Sequence, residues 1–143
     1  MKVVIFAGGL GTRLSEETNL IPKPMIEING RPMLWHIMQT YSKFGYTDFI
    51  MLLGYKSYLI KEYFSNYCLH NSDVEIDCST KSLRYLSSIS ESWKITLLDT
   101  GIDSLTGSRL RMAQHYLDQT FLLTYGDGLS DINMNDQLAF HHS

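Results

Sequence analysis

The feature that most constrains the fold is the run at residues 2–7 (KVVIFA), which carries β-branched, aromatic and small apolar side chains up to Gly8-Gly9. A half-exposed strand alternates polar and apolar residues, so a run without alternation suits a strand buried on both faces, as in a parallel sheet. The rest of the chain alternates between strand and helix signals. Met33, Leu34, Ile37, Met38, Tyr41 and Phe44 recur at helical spacing, with Pro32 at a tolerant first turn and Gly45 as a stop. Residues 49–53 (FIMLL) predict a second strand ended by Gly54-Tyr55, and Tyr58, Leu59, Glu62, Tyr63 and Tyr67 predict a second helix. Val74–Asp77 alternates as a strand would, whereas residues 80–91 are polar and fit no period. Residues 93–98 predict a strand, 107–117 a helix through Leu110, Met112, Ala113 and Leu117, and 121–124 a strand feeding Tyr125-Gly126-Asp127-Gly128. Residues 135–143 read as the opening of a helix without a C-terminal cap. This succession predicts an α/β fold with a doubly wound, mostly parallel sheet, in one domain over residues 1–143.

A chain of 143 residues buries roughly 68–70% of its unfolded surface, enough for a single core. Its net charge of −3 and pI near 5.9 argue against a nucleic-acid binder, which would carry a basic face. Cys68 and Cys78 lack metal-ligand spacing and read as reduced thiols. The N-terminal apolar run is too short for a secretory signal, and no apolar stretch approaches the roughly 20 residues that span a bilayer. No membrane partner and a cytoplasmic location are the expectations.

Two short motifs carry chemistry. The segment Ala7-Gly8-Gly9-Leu10-Gly11-Thr12-Arg13-Leu14 follows the first strand directly. Its glycines let successive N–H groups converge on an anion, and Arg13 adds a fork of donors matched to phosphate oxygens. By itself such a loop reads equally as a packing turn between strand and helix. Its spacing is neither that of the dinucleotide fingerprint nor that of the Walker phosphate loop. The second motif is Pro22-Lys23-Pro24-Met25, where flanking prolines fix the backbone that presents one ammonium group.

Together these motifs resemble the signature of the sugar-1-phosphate nucleotidylyltransferase family, AGGxGTRL followed by PKPM. The resemblance sharpens through residues 15–18 (SEET), 34–38 (LWHIM), 54–56 (GYK), 60–64 (IKEYF), 99–101 (DTG), Thr106-Gly107, Arg109-Leu110 and 124–128 (TYGDG). These match the branch that transfers a cytidylyl group from CTP to glucose 1-phosphate, within nucleotide-sugar and O-antigen biosynthesis. The match is weakest across residues 78–92.

The resemblance implies a Rossmann-like fold of the nucleotide-diphospho-sugar transferase type. It also implies roles. Gly8, Gly9, Leu10, Gly11 and Thr12 would cradle the nucleotide, Arg13 would hold the β- and γ-phosphates, and Lys23 would bridge phosphates at the reacting centre. Arg13 and Lys23 are thus the expected catalytic residues. Ser104 and Arg109 would contact the nucleotide, Gly126 would allow close backbone approach, and Asp127 would bind Mg²⁺. Composition alone reads Asp127 as a turn carboxylate, and Asp131 serves equally as a second carboxylate near the metal or as a helix cap. The segment 99–101 is open between a mere strand end and a place near the base pocket. His36 reads as a packing residue, and the other histidines show no metal spacing. Family members are longer and form homo-oligomers, and their second half supplies the sugar pocket. The expectation is therefore an N-terminal nucleotide-binding portion, C-terminally truncated, with Ser108 where a second glycine is usual.

Overall fold

The computed structural model describes residues 1–8, 21–87, 91–102, 104–117, 120–126 and 139–142. The chain enters through β1 (Val3–Ala7), passes a 3₁₀ turn at Lys23–Met25 and makes a small ribbon from β2 (Glu27–Ile28) and β3 (Arg31–Pro32). Then come α1 (Met33–Ser42), β4 (Asp48–Leu53), α2 (Ser57–Ser65) and the short α3 (Tyr67–His70). A hairpin of β5 (Val74–Asp77) and β6 (Ser82–Tyr85) precedes β7 (Lys94–Asp99), α4 (Thr106–Met112) and β8 (Leu122–Tyr125).

The central sheet has the order β7-β4-β1-β8, and each neighbouring pair is parallel. The chain steps outward from β1 to β4 to β7 and then returns past β1 to place β8 on its other side. Such a reversal is the topological switch point of a doubly wound sheet. The predicted fold class is therefore observed.

The two faces of β1 and β4 explain why their sequences do not alternate. Val3, Ile5, Ala7, Phe49, Met51 and Leu53 pack on one side against Leu34, Ile37, Met38 and Tyr41 of α1 and Ile60 of α2. Val4, Ile50 and Leu52 pack on the other against Ala113, with Leu110, Leu117 and Phe121 around them. On β8 the alternation returns: Leu122 is buried and Leu123 is exposed.

Three sequence expectations shift in detail. The predicted second helix breaks at Asn66, whose side-chain amide donates to the Glu62 carbonyl at 2.9 Å and competes with the helical pattern. The helix at 107–117 begins one residue earlier, ends at Met112 and continues as a 3₁₀ turn over Gln114–Tyr116. Within the aperiodic stretch 80–91 lies β6, paired antiparallel with β5 in the register Val74↔Tyr85 and Ile76↔Leu83. That register puts four apolar residues on one face of the hairpin, while Glu75 and Arg84 pair at 3.2 Å on the other. Of the predicted helix at 135–143, residues 139–142 are helical and the rest lies outside the described residues.

The β2–β3 ribbon escapes a hydrophobic-period search because each strand has only two residues. Its signal is Asn29-Gly30, both at positive φ (54° and 80°), which is the turn chemistry of a two-residue hairpin. Cys68 and Cys78 are free and exposed.

Candidate functional site

The parallel strands deliver their C-terminal ends to one rim, and each end runs into a glycine: Gly8 after β1, Gly54 after β4, Gly101 just past β7 and Gly126 after β8. Backbone can therefore come close to backbone, and to any ligand, along the crevice where such sheets bind their ligands. At Gly8 this closeness is obligatory, since a Cβ there would overlap the Arg109 guanidinium and lie 2.9 Å from the Gly54 nitrogen.

Arg109, projecting from α4, is buried at 4% exposure behind this rim. Its five N–H donors meet five acceptors. Nε donates to the Ser104 carbonyl at 3.1 Å, and Nη1 to the Leu53 carbonyl at 3.2 Å and to Thr100 Oγ1 at 2.6 Å. Nη2 donates to the carbonyls of Gly8 at 3.2 Å and Ile102 at 3.1 Å. These acceptors are neutral oxygens from the ends of β1 and β4 and from the loop after β7. Burial lowers the guanidinium's pKa from its ordinary value, although arginine stays charged. The rim thus keeps a positive charge satisfied by hydrogen bonds rather than by a carboxylate among these partners.

Among the described residues, Thr100 is the other buried polar residue, at 2% exposure. Its amide and its hydroxyl both donate to the Leu53 carbonyl at 2.8 Å, and its own carbonyl accepts from Ser104 Oγ at 2.5 Å. The 99–101 segment ends a strand and also reaches the rim. Asp99 ends β7 and pairs with Lys61 at 2.5 Å on the surface, which holds its carboxyl below the usual carboxylate range. Thr100 turns inward to the rim.

On the β8 side of the switch point, Gly126 donates its amide to the Phe6 carbonyl at 2.8 Å. A Cβ on Gly126 would sit 3.1 Å from Pro24. The Pro22-Lys23-Pro24 segment is therefore packed against the end of β8. Pro24 is buried, and the turn is closed by Met25 N–H to the Pro22 carbonyl at 2.9 Å and Ile26 N–H to the Lys23 carbonyl at 3.1 Å. This turn fixes the backbone of Lys23 beside the crevice, as the flanking prolines suggest.

Of the residues singled out in the sequence, the structure gathers Gly8, Ser104 and Arg109 into one hydrogen-bonded wall, and sets Pro24, the neighbour of Lys23, against Gly126. Gly9, Leu10, Gly11, Thr12, Arg13 and Asp127 lie outside the described residues. His36 bonds the Ile28 carbonyl at 2.7 Å, a packing role. Among the described residues no three His, Cys, Asp or Glu side chains gather as a metal site, and no helix is long and apolar enough to cross a membrane. A cavity of about 300 Å³ under α2 and α3, lined by Phe64, Tyr67, Trp93 and Ile95, involves none of these residues. Sequence reasoning gives Gly54 the end of a strand and a part in the resemblance but no role at the site, although its place directly after an apolar strand repeats the signal at Gly8.

Known proteins are similar to this chain. The family model described as nucleotidyl transferase matches residues 2–101. The chain is 52% identical over 143 residues to a glucose-1-phosphate cytidylyltransferase of Salmonella typhimurium, and 50% identical over 144 residues to a probable glucose-1-phosphate cytidylyltransferase of Bacillus subtilis. These matches take in 99% and 100% of this chain, which spans 56% of the length of each relative. Among solved structures, that of HddC from Yersinia pseudotuberculosis superposes with a TM-score of 0.69 at 26% identity, over 97% of this chain and 53% of that one. On these matches, the chain belongs to the nucleotidyl transferase family.

Proposed function

We propose that this chain forms the nucleotide-binding portion of an enzyme that transfers a cytidylyl group from CTP to glucose 1-phosphate, giving CDP-glucose and pyrophosphate. The observation that supports it most is the switch-point crevice itself. Gly8 and Gly126 end adjacent parallel strands there, the Lys23 turn packs on one side, and the buried Arg109 charge stands behind the other. The Salmonella typhimurium relative is a glucose-1-phosphate cytidylyltransferase and the Bacillus subtilis relative a probable one, and this supports CTP as the nucleotide.

In this reading an oxygen of the sugar phosphate attacks the α-phosphorus of CTP. The bond from that phosphorus to the bridging oxygen breaks, and pyrophosphate leaves with the electron pair. The attacking phosphate is already a nucleophile, so the protein's tasks are alignment and neutralisation of charge. Backbone amides of Gly8, Gly9, Leu10, Gly11 and Thr12 cradle the triphosphate. Arg13 takes the β- and γ-phosphates, and Lys23 neutralises charge at the reacting centre. Ser104 and Arg109 form the wall that the nucleotide meets, and Gly126 lets it approach the end of β8. Asp127 follows Gly126 directly in the sequence, and a carboxylate is the kind of hard oxygen ligand that Mg²⁺ takes. When bound, Mg²⁺ would lessen the repulsion between two anionic reactants.

Calorimetric titration of the chain with CTP and Mg²⁺ tests this reading. Binding is expected, weakened about tenfold or more in Lys23→Ala, as for loss of a charge-assisted phosphate contact. If neither CTP, dTTP nor UTP binds the folded chain, the reading is wrong; preference for dTTP or UTP would reassign the base.

A second reading, a nucleotide-binding and self-associating module without turnover, is favoured by one observation. The β5–β6 hairpin exposes Ile76, Leu83 and Tyr85, as a strand pair covered by a second copy would. Homo-oligomerisation, a cytoplasmic location and a place in O-antigen precursor synthesis belong to the proposal on the same footing. Release of pyrophosphate from CTP and glucose 1-phosphate would exclude the module.

A further inference from the structure

The Thr100 hydroxyl has one proton, and the Leu53 carbonyl takes it at 2.8 Å. Its lone pairs are thereby turned toward Arg109 Nη1, which donates to it at 2.6 Å. Of the five acceptors on Arg109, the other four are backbone carbonyls, whose place the strand and loop ends dictate. Among the described residues, Thr100 Oγ1 is the one acceptor contributed by a side chain, and so the one a substitution can remove without moving the backbone. The guanidinium it steadies bonds the Gly8 carbonyl, the last described point before the glycine-rich segment.

We propose that Thr100 is a positioning residue for the nucleotide site. Its hydroxyl fixes the rotation of the Arg109 guanidinium, and the guanidinium in turn fixes where the chain leaves β1 at Gly8. The inference rests on the reading of this rim as a nucleotide site. The chemistry is local. A methyl in place of the hydroxyl would leave one Nη1 proton without an acceptor in a buried place, a cost that turning or withdrawing the guanidinium would relieve. A serine keeps the hydroxyl and loses only a methyl group.

The experiment compares the chain with Thr100→Val, Thr100→Ser and the core variant Ile37→Val, which lies on α1 away from the rim. CTP affinity is measured with Mg²⁺ by calorimetry, melting temperature by calorimetric scan, and the guanidinium by ¹⁵N NMR, with the Arg109 signals identified through Arg109→Lys. The Val variant is expected to lose about tenfold in CTP affinity, while Ser stays within about threefold of wild type, as expected for one hydrogen bond to a charged group. Ile37→Val is expected to bind like wild type even where its melting temperature falls as far. In wild type and Ser, the Arg109 Nη protons should resolve separately, because five bonds hinder rotation; in Val they should average together.

Unchanged CTP affinity in a folded Val variant would overturn the proposal, as would equal losses in Ser and Val. If Val does not fold, Thr100→Ala against Thr100→Ser makes the same comparison. If wild type binds no CTP, the nucleotide reading fails by itself and the NMR signature still decides: a guanidinium as rigid in Val as in wild type removes Thr100 from any positioning role.

Discussion

Arg109 shows how a single side chain can shape a rim that is mostly backbone. Its acceptors stand up to 101 residues away in sequence and come together only once β1, β4 and β7 are aligned. Gly8 carries the complementary constraint, since any side chain there would occupy the guanidinium's space. Gly8→Ala is therefore expected to destabilise the chain by about 2–4 kcal/mol through overpacking and broken hydrogen bonds, read as a fall in denaturation midpoint. A wild-type midpoint in that variant would mean that the guanidinium can move aside freely. At this scale the sequence is legible where a residue's chemistry is unusual for its place, as with a lysine between two prolines. It is illegible where the partner is a backbone carbonyl, because every residue has one. That is why Arg109 can be singled out by resemblance while its hydrogen-bonded shell cannot.

Among the elements, the strands buried on both faces are the most legible, since β1 and β4 have no polar side to hide their pattern. The ribbon β2–β3 and strand β6 are not, for opposite reasons: the first is too short to show a period, and the second lies in a stretch whose apolar residues remain exposed. The short helix α3 is held by its side chains. Tyr67 accepts from Trp35 Nε1 at 2.8 Å and donates to Glu91 at 3.0 Å, while Arg31 lies over both aromatic rings at 5.2 and 6.0 Å. Burial pushes the Tyr67 hydroxyl up from its ordinary 10.0 to about 12. The folded state then holds this proton more tightly than the unfolded chain. The resulting stability is complete below pH 10.0 and is lost as the pH rises toward about 12. Urea midpoints measured across that window should fall in wild type and fall less in Tyr67→Phe; parallel curves would show that Tyr67 does not carry the effect.

For the molecule as a whole, the order β7-β4-β1-β8 leaves β7 and β8 as the flanking strands of the described sheet. Leu123 and Tyr125 of β8 are 46% and 57% exposed, and on the hairpin Ile76 is 62% exposed. Apolar side chains left exposed together on one face of a strand pair mark interaction sites or association. Sedimentation velocity is expected to show concentration-dependent self-association, reduced in Ile76→Glu with Leu83→Glu. Monomer at every concentration in the parent chain would remove the oligomer from the proposal. The fold class is legible at this scale because alternating strands and helices permit few topologies. The crevice is only partly legible, because it exists between β1 and β8, which are more than 100 residues apart.

The shared anchor at Arg109 has a dynamic consequence. Three segments that rest on one guanidinium cannot loosen one at a time without leaving its donors bare, so they form a single cooperative opening unit. Amide protons of Tyr55, bonded to Gly8 at 3.3 Å, and of Thr100, bonded to Leu53 at 2.8 Å, belong to different loops. They should nonetheless exchange with deuterium through one common event, and Arg109→Lys should split their rates apart. Rates already unequal in the parent chain would mean that each loop breathes independently.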